Sequence, residues 1–170
     1  FTNDAFTSDN ASFVSGSNRP DLRIKFKESA PRTIYVKADA TGANDGSSWT
    51  NACVDLQRAI DIAPTGSQIW VAAGTYTPTS WPNGGSESRE RHFSLANDVA
   101  VYGGFSGVEN TLEQRDPITN PTVLSGDLGV QGDNSDNSYN VFYHSSELSL
   151  TPNAVIDGFT IRDGNADSNA

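Results

Sequence analysis

The sequence predicts an all-β protein, a solenoid of parallel strands opened by one helix and preceded by an extra strand. Three observations carry this expectation. Asn, Asp, Ser, Thr and Gly recur throughout and place turn chemistry every few residues. One stretch alone, near residue 55, holds apolar residues at helical spacing. Beyond it, short apolar runs recur at intervals of 24 residues (Val99 to Val123), 18 (Val123 to Val141) and 14 (Val141 to Val155). These intervals approach the roughly 20–50-residue coils in which each turn adds one strand to each stacked sheet.

The elements follow in order. Residues 2–18 read as a polar tail. Residues 21–27 then alternate strictly, with Leu22, Ile24 and Phe26 on one face and charges on the other, as a strand with one wet side does. Pro31 closes a short linker and divides the chain into 1–30 and 31–170. Residues 33–37 (TIYVK) form the next strand, followed by a loop with an Asn44-Asp45-Gly46 turn. The helix is expected from Thr50 as N-cap, carried by Ala52, Cys53, Leu56, Ala59, Ile60 and Ala63 and stopped by Pro64 and Gly66. Residues 68–72 (QIWVA) are a buried strand. Further strands are expected at 92–95, 99–105, 122–124, 140–144, 154–156 and 159–161.

Composition bounds what the protein does. The chain has 170 residues, of which 35% are hydrophobic and 9% aromatic, with a mean hydropathy of −0.48. That suffices for one domain with an appended segment and a sizeable core. The formal charge is −10, which argues against sequence-independent binding to nucleic acid or to anionic membranes. No apolar run approaches the length of a membrane span. The single cysteine excludes a disulfide framework. All three lysines lie in the first 37 residues, and Arg162 is the only Lys or Arg after residue 126. An acidic, Lys-poor, turn-rich chain points to a secreted protein. The absence of Met and the opening on Phe1 are what a processed or trimmed chain would show.

The ordered stretches IYVKADATGANDGSSW, DLQRAIDIA, IWVAAGTY, FSLANDVAVYGGFSG, VLSGDLG, DNSYNVFY and AVIDGFTIRDGNA resemble the opening of secreted right-handed parallel β-helix proteins, the pectate-lyase-like solenoids of bacterial cell surfaces. The resemblance covers residues 33–166 and implies that the helix caps one end of the solenoid. Residues 1–27, ending in NRPDLRIKF, resemble the last strands of a β-sandwich module that precedes such solenoids.

Candidate sites are weighed against their plainer roles. Cys53 lies on the apolar stripe of the helix, with no base nearby, and reads as a small buried hydrophobe. His92 and His144 lack the carboxylate spacing of a metal motif and read as ordinary sheet or surface histidines. Asp127, Asp133 and Asp136, in DLGVQGDNSDNS, offer hard oxygen ligands within one acidic loop, which makes Ca²⁺ the one cofactor candidate. The EF-hand pattern is not met, and an Asp/Asn-rich turn loop without metal is the plainer reading. Asp157 and Asp163 flank a strand and read as turn carboxylates, not as a glycosidase pair. Trp49 and Trp70 read as core, leaving Trp81 in an exposed loop as the candidate carbohydrate contact. Asn10-Ala11-Ser12 is the one N-glycosylation sequon.

Together these features favour a non-catalytic extracellular or cell-surface structural module, with no catalytic residues assigned. It is expected to self-associate head-to-tail into a filament, Leu22, Ile24 and Phe26 of the spare strand adding to a neighbour's sheet edge. Two rival readings stay open. One is the front part of a polysaccharide lyase or glycoside hydrolase. The other is a carbohydrate-binding or adhesin segment that holds a cell-surface or matrix polysaccharide.

Overall fold

A computed structural model describes residues 29–145 and 149–167, together with the backbone of 11–14 and 23–26. The chain divides into two compact units, Phe1–Ala30 and Pro31–Ala170, and each is described by itself.

In the first unit, β1 (Ala11–Val14) pairs antiparallel with β2 (Arg23–Phe26), Ala11 opposite Phe26 and Val14 opposite Arg23. The sequence predicted the second strand but not the first, because ASFV sits in an otherwise polar stretch. One edge of the expected donor strand is therefore already paired within its own unit. Leu22 lies outside the described residues, and Ile24 and Phe26 are described by their backbone alone.

The second unit holds two parallel sheets. The first runs β3 (Thr33–Val36), β4 (Gln68–Ala72), β6 (Ala100–Phe105), β8 (Val155–Asp157). The second runs β5 (Gly74–Tyr76), β7 (Thr122–Ser125), β9 (Phe159–Arg162). From β4 onward successive strands alternate between the sheets: one residue separates β4 from β5, and Gly158 alone separates β8 from β9. Register stacks like on like. Ile34 pairs with Ile69, Ile69 with Val101, and Val101 with Ile156. Ile34, Ile69 and Val101 are at most 1% exposed, and each such side chain contributes about 1.5–3 kcal/mol on burial.

The expected all-β solenoid is not what forms. The strands are three to six residues long and amount, with bridges, to only 24% of the chain. They make two small parallel sheets plus one helix, a mixed α/β-like arrangement, not a clear β-helix. The strands expected at 92–95 and 140–144 shrink to a single parallel bridge, Phe93 to Phe142. Beside that bridge the Ser94 and Leu95 N–H groups go to side chains, Gln57 Oε1 at 2.9 Å and His144 Nε2 at 3.3 Å, and not to a neighbouring strand.

The helix is also shorter than predicted. α1 (Leu56–Asp61) begins after Asp55, whose carboxylate accepts the Arg58 N–H at 2.8 Å, so Asp55 and not Thr50 is the cap. Residues before it are claimed by the sheet. Cys53 bridges Val36, donating its N–H to the Tyr35 carbonyl at 2.8 Å and accepting from Lys37 N–H at 2.9 Å. This satisfies backbone groups on the outer edge of β3, which would otherwise stand open. α1 then buries Leu56, Gln57, Ala59 and Ile60 against β3 and β4.

The other face of the first sheet is aromatic. The Trp70 and Phe105 rings stack at 4.9 Å, and Tyr35 meets Trp49 edge-on at 4.8 Å. This packing needs a bulge in β6: Trp70 pairs with Tyr102, but Ala72 pairs with Phe105. Gly104 supplies the conformation, with φ +96, and a Cβ there would lie 2.7 Å from Pro117. The following loop is closed by Glu109, 8% exposed, whose carboxylate accepts the N–H groups of Ser106 (2.7 Å), Gly107 (3.0 Å) and Val108 (2.9 Å). Burial alone would raise this carboxyl, but those donors overcome it and bring its pKa to about 2.

Leu56 is 2% exposed where the helix meets the sheet. Leu56→Asp is expected to destabilise the protein by about 4 kcal/mol, through lost packing and an unpaired buried charge. A thermal melt followed by circular dichroism reads this directly. An unchanged midpoint would mean that α1 is not part of the core.

Candidate functional site

A cleft of about 350 Å³ opens between three segments: the turn carrying Asn83, Gly84 and Gly85, the stretch from Glu90 to His92, and the stretch from Tyr139 to Tyr143. Backbone bonds hold the last two side by side. Tyr139 N–H donates to the Arg89 carbonyl at 2.8 Å, Phe93 N–H to the Val141 carbonyl at 2.8 Å, and Tyr143 N–H to the Phe93 carbonyl at 3.0 Å. The turn is fixed from its own side. Glu90 accepts the N–H groups of Ser86 (2.6 Å) and Glu87 (2.9 Å), and these bonds lower its pKa. Gly85, at φ +151, lets Trp81 lie against the backbone, since a Cβ there would fall 2.3 Å from the indole.

His92 forms the floor, 3% exposed. Its Nδ1 lies 2.7 Å from the Glu90 carbonyl, which can only accept, so Nδ1 carries the proton and Nε2 presents a lone pair. Asn83 reaches that nitrogen only at 3.4 Å, through its backbone N–H and its side chain. The Asn83 amide is oriented by firmer bonds: Nδ2 donates to Ser94 Oγ at 2.9 Å and to the Tyr143 carbonyl at 2.8 Å. Ser94 Oγ in turn lies 3.2 Å from His144 Nδ1, and Leu95 N–H donates to His144 Nε2 at 3.3 Å. A continuous polar chain thus runs from His92 through Asn83 and Ser94 to His144. Burial, and then the neighbouring His92, hold the His144 pKa below the ordinary histidine value.

Of the residues singled out by sequence, His92 and His144 lie in this polar chain, and the others fall elsewhere. Trp81 is half-buried: its indole N–H donates to the Glu87 carbonyl at 2.7 Å, and the Arg91 guanidinium lies over its ring at 5.3 Å. One face of its ring is thus occupied, and the glycine turn it supports forms one wall of the cleft. Asp127 accepts the Gly132 N–H at 3.0 Å, Asp136 accepts the Val130 N–H at 2.7 Å, and Asp133 accepts the Ser135 N–H and hydroxyl at 2.9 and 2.7 Å. Their oxygens hold the loop's own backbone. Among the described residues no group of three or more His, Cys, Asp or Glu is placed to hold a metal ion. Asp136 Oδ1, Asn137 Oδ1 and Ser138 Oγ are buried without partners among the described residues.

Asp157 pairs with Arg115, and Asp163 accepts from the Ser125 hydroxyl at 2.6 Å. Cys53 is fully buried, and burial pushes its thiol up. The sequon begins at Asn10, outside the described residues. The cleft itself escaped sequence reasoning, because Asn83 and Tyr143 lie 60 residues apart and neither belongs to a motif.

No family model, no curated protein and no solved structure matches the chain. Among the described residues no helix is long and apolar enough to cross a membrane.

The polar chain sets a pH response. A histidine whose folded pKa lies below its unfolded value stabilises the fold fully above the unfolded value of 6.5, and loses that contribution as pH falls through the lower folded one. Urea melts between pH 7.5 and 5 are expected to show stability falling below pH 6.5. His144→Gln, which keeps an acceptor for Leu95 N–H, is expected to flatten that fall. Identical slopes in both proteins would remove His144 as the cause.

Proposed function

We propose that the chain is a non-catalytic extracellular or cell-surface structural module. The observation that supports this reading is how its acidic side chains are used. Glu90, Glu109, Asp116, Asp133 and Asp136 each accept backbone N–H groups of their own loops, so these carboxylates order the surface. Such self-tied loops on an acidic body suit a protein exposed to an outside medium without a partner to fold against. Labelling of intact source cells with an antibody to the chain, before and after permeabilisation, is the test. Labelling of intact cells is expected. Signal confined to permeabilised cells would sink the reading, as would release of reducing or unsaturated ends from a polysaccharide panel.

Self-association belongs to the same proposal. Among the described residues no strand pairs with the outer edges of β8 and β9, and Ile161 on β9 is 51% exposed. An edge of this kind is a template for another strand, and a head-to-tail contact need not close into a ring. Sedimentation velocity on the full chain is expected to show concentration-dependent species larger than the monomer. Deletion of residues 1–30 is expected to reduce them to monomers. Equal size distributions would exclude strand donation from the first unit.

A further inference from the structure

The cleft between Asn83 and Tyr143 has the chemistry of a binding site whatever the protein's address. Its volume, about 350 Å³, lies at the small end of the range for ligand sites, enough for one small ligand unit. Its lining mixes acceptors, donors and aromatic surface. The Asn83 amide spends both N–H donors on Ser94 and Tyr143, and the Tyr143 carbonyl can only accept, so the amide orientation is fixed and Oδ1 is left as an acceptor. His92 closes the floor, its Nε2 lone pair turned to the Asn83 N–H at 3.4 Å. Glu90 uses Oε2 for the turn, and no bond among the described residues occupies Oε1. Donors come from the Asn140 amide and the hydroxyls of Tyr139 and Tyr143, and the Tyr143 ring, 45% exposed, offers an apolar face.

The charges nearby are balanced and directed away. Arg89 is held by Asp167 at 2.8 Å and by the carbonyls of Asn137 and Asn165 at 2.7 and 2.9 Å, behind the Tyr139 ring. Arg91 lies over Trp81. Among the described residues Glu90 is therefore the one charged residue that lines the cleft, and it repels anions.

We propose that this cleft binds an uncharged sugar unit of a polysaccharide. A sugar hydroxyl both donates and accepts, so a ring bearing several can answer acceptors and donors spread around one small cleft. Its C–H face matches the exposed Tyr143 ring. A carboxylated sugar would meet Glu90 without a compensating cation. A single ammonium would answer Glu90 but leave the other acceptors on the far sides of the cleft unanswered. The Trp81 loop helps to build this cleft.

The test uses the purified full chain, so it is independent of where the protein is displayed. Cellotetraose, maltotetraose, mannotetraose and tetragalacturonate are titrated while the amide resonances of Gly84 and Gly85 are followed by NMR. At least one neutral tetrasaccharide is expected to shift both resonances, with tetragalacturonate at least about tenfold weaker. Tyr143→Ala, at an exposed position, is expected to weaken binding about tenfold while leaving the thermal midpoint unchanged. Glu90→Gln keeps an acceptor for the turn and is expected to narrow the gap between neutral and acidic sugars. No shift with any neutral sugar, equal binding of tetragalacturonate, or undiminished binding by Tyr143→Ala would each overturn the proposal.

Discussion

The in-register column Ile34–Ile69–Val101–Ile156 is the constraint on which the larger unit depends. Side chains alternate faces along a strand, so a slip of one residue in any of these four strands would turn its apolar residue outward and bring Tyr35, Trp70, Tyr102 or Asp157 into its place. Three of those four are aromatic and already belong to the opposite face, where Trp70 stacks on Phe105. The two faces therefore enforce the same register from both sides. Strands of three to six residues have few backbone bonds with which to hold alignment, and side-chain stacking supplies what they lack.

Everything near the cleft inherits its position from that column through few intermediaries. β4 passes into β5 across one residue, β6 carries the bulge at Gly104, and the bridge from Phe93 to Phe142 fastens the two remote segments together. Phe93 is 1% exposed and packs against Phe142 at 5.6 Å, so its neighbour His92 is held by the core rather than by the loop that precedes it. Floor and one wall are thus part of the rigid body. The opposite wall, the glycine turn, is held by Glu90 and Trp81.

Much of the strand content was legible in the sequence because β-branched and aromatic runs such as QIWVA and TIYV announce buried parallel strands with little ambiguity. The helix was legible in kind but not in extent: Ala52 and Cys53 fit a helical stripe, yet their backbone is more valuable to the open edge of β3. The solenoid expectation failed where the pattern was weakest. Residues 92–95 and 140–144 alternate like strands, but His92, Ser94 and His144 bond sideways into a polar chain, and that competition cannot be read from spacing. The acidic loop shows the same limit of spacing. Asp127, Asp133 and Asp136 look like ligands because they are close in sequence, while each is committed to a backbone N–H a few residues away. The cleft was invisible because its walls come from segments some 60 residues apart.

The Glu109 cradle has a consequence for how this surface can vary. Three consecutive N–H groups are gathered by a carboxylate one to three residues away, and the capping contacts of Glu90 and Asp116 work over similarly short spans. A loop that supplies its own fastening brings its order with it. Its length and outward residues can be rewritten, or a whole self-fastened loop exchanged for another, without disturbing the apolar column beneath. Scaffold and surface can in this sense be altered separately, the outside changing while the inside stands still.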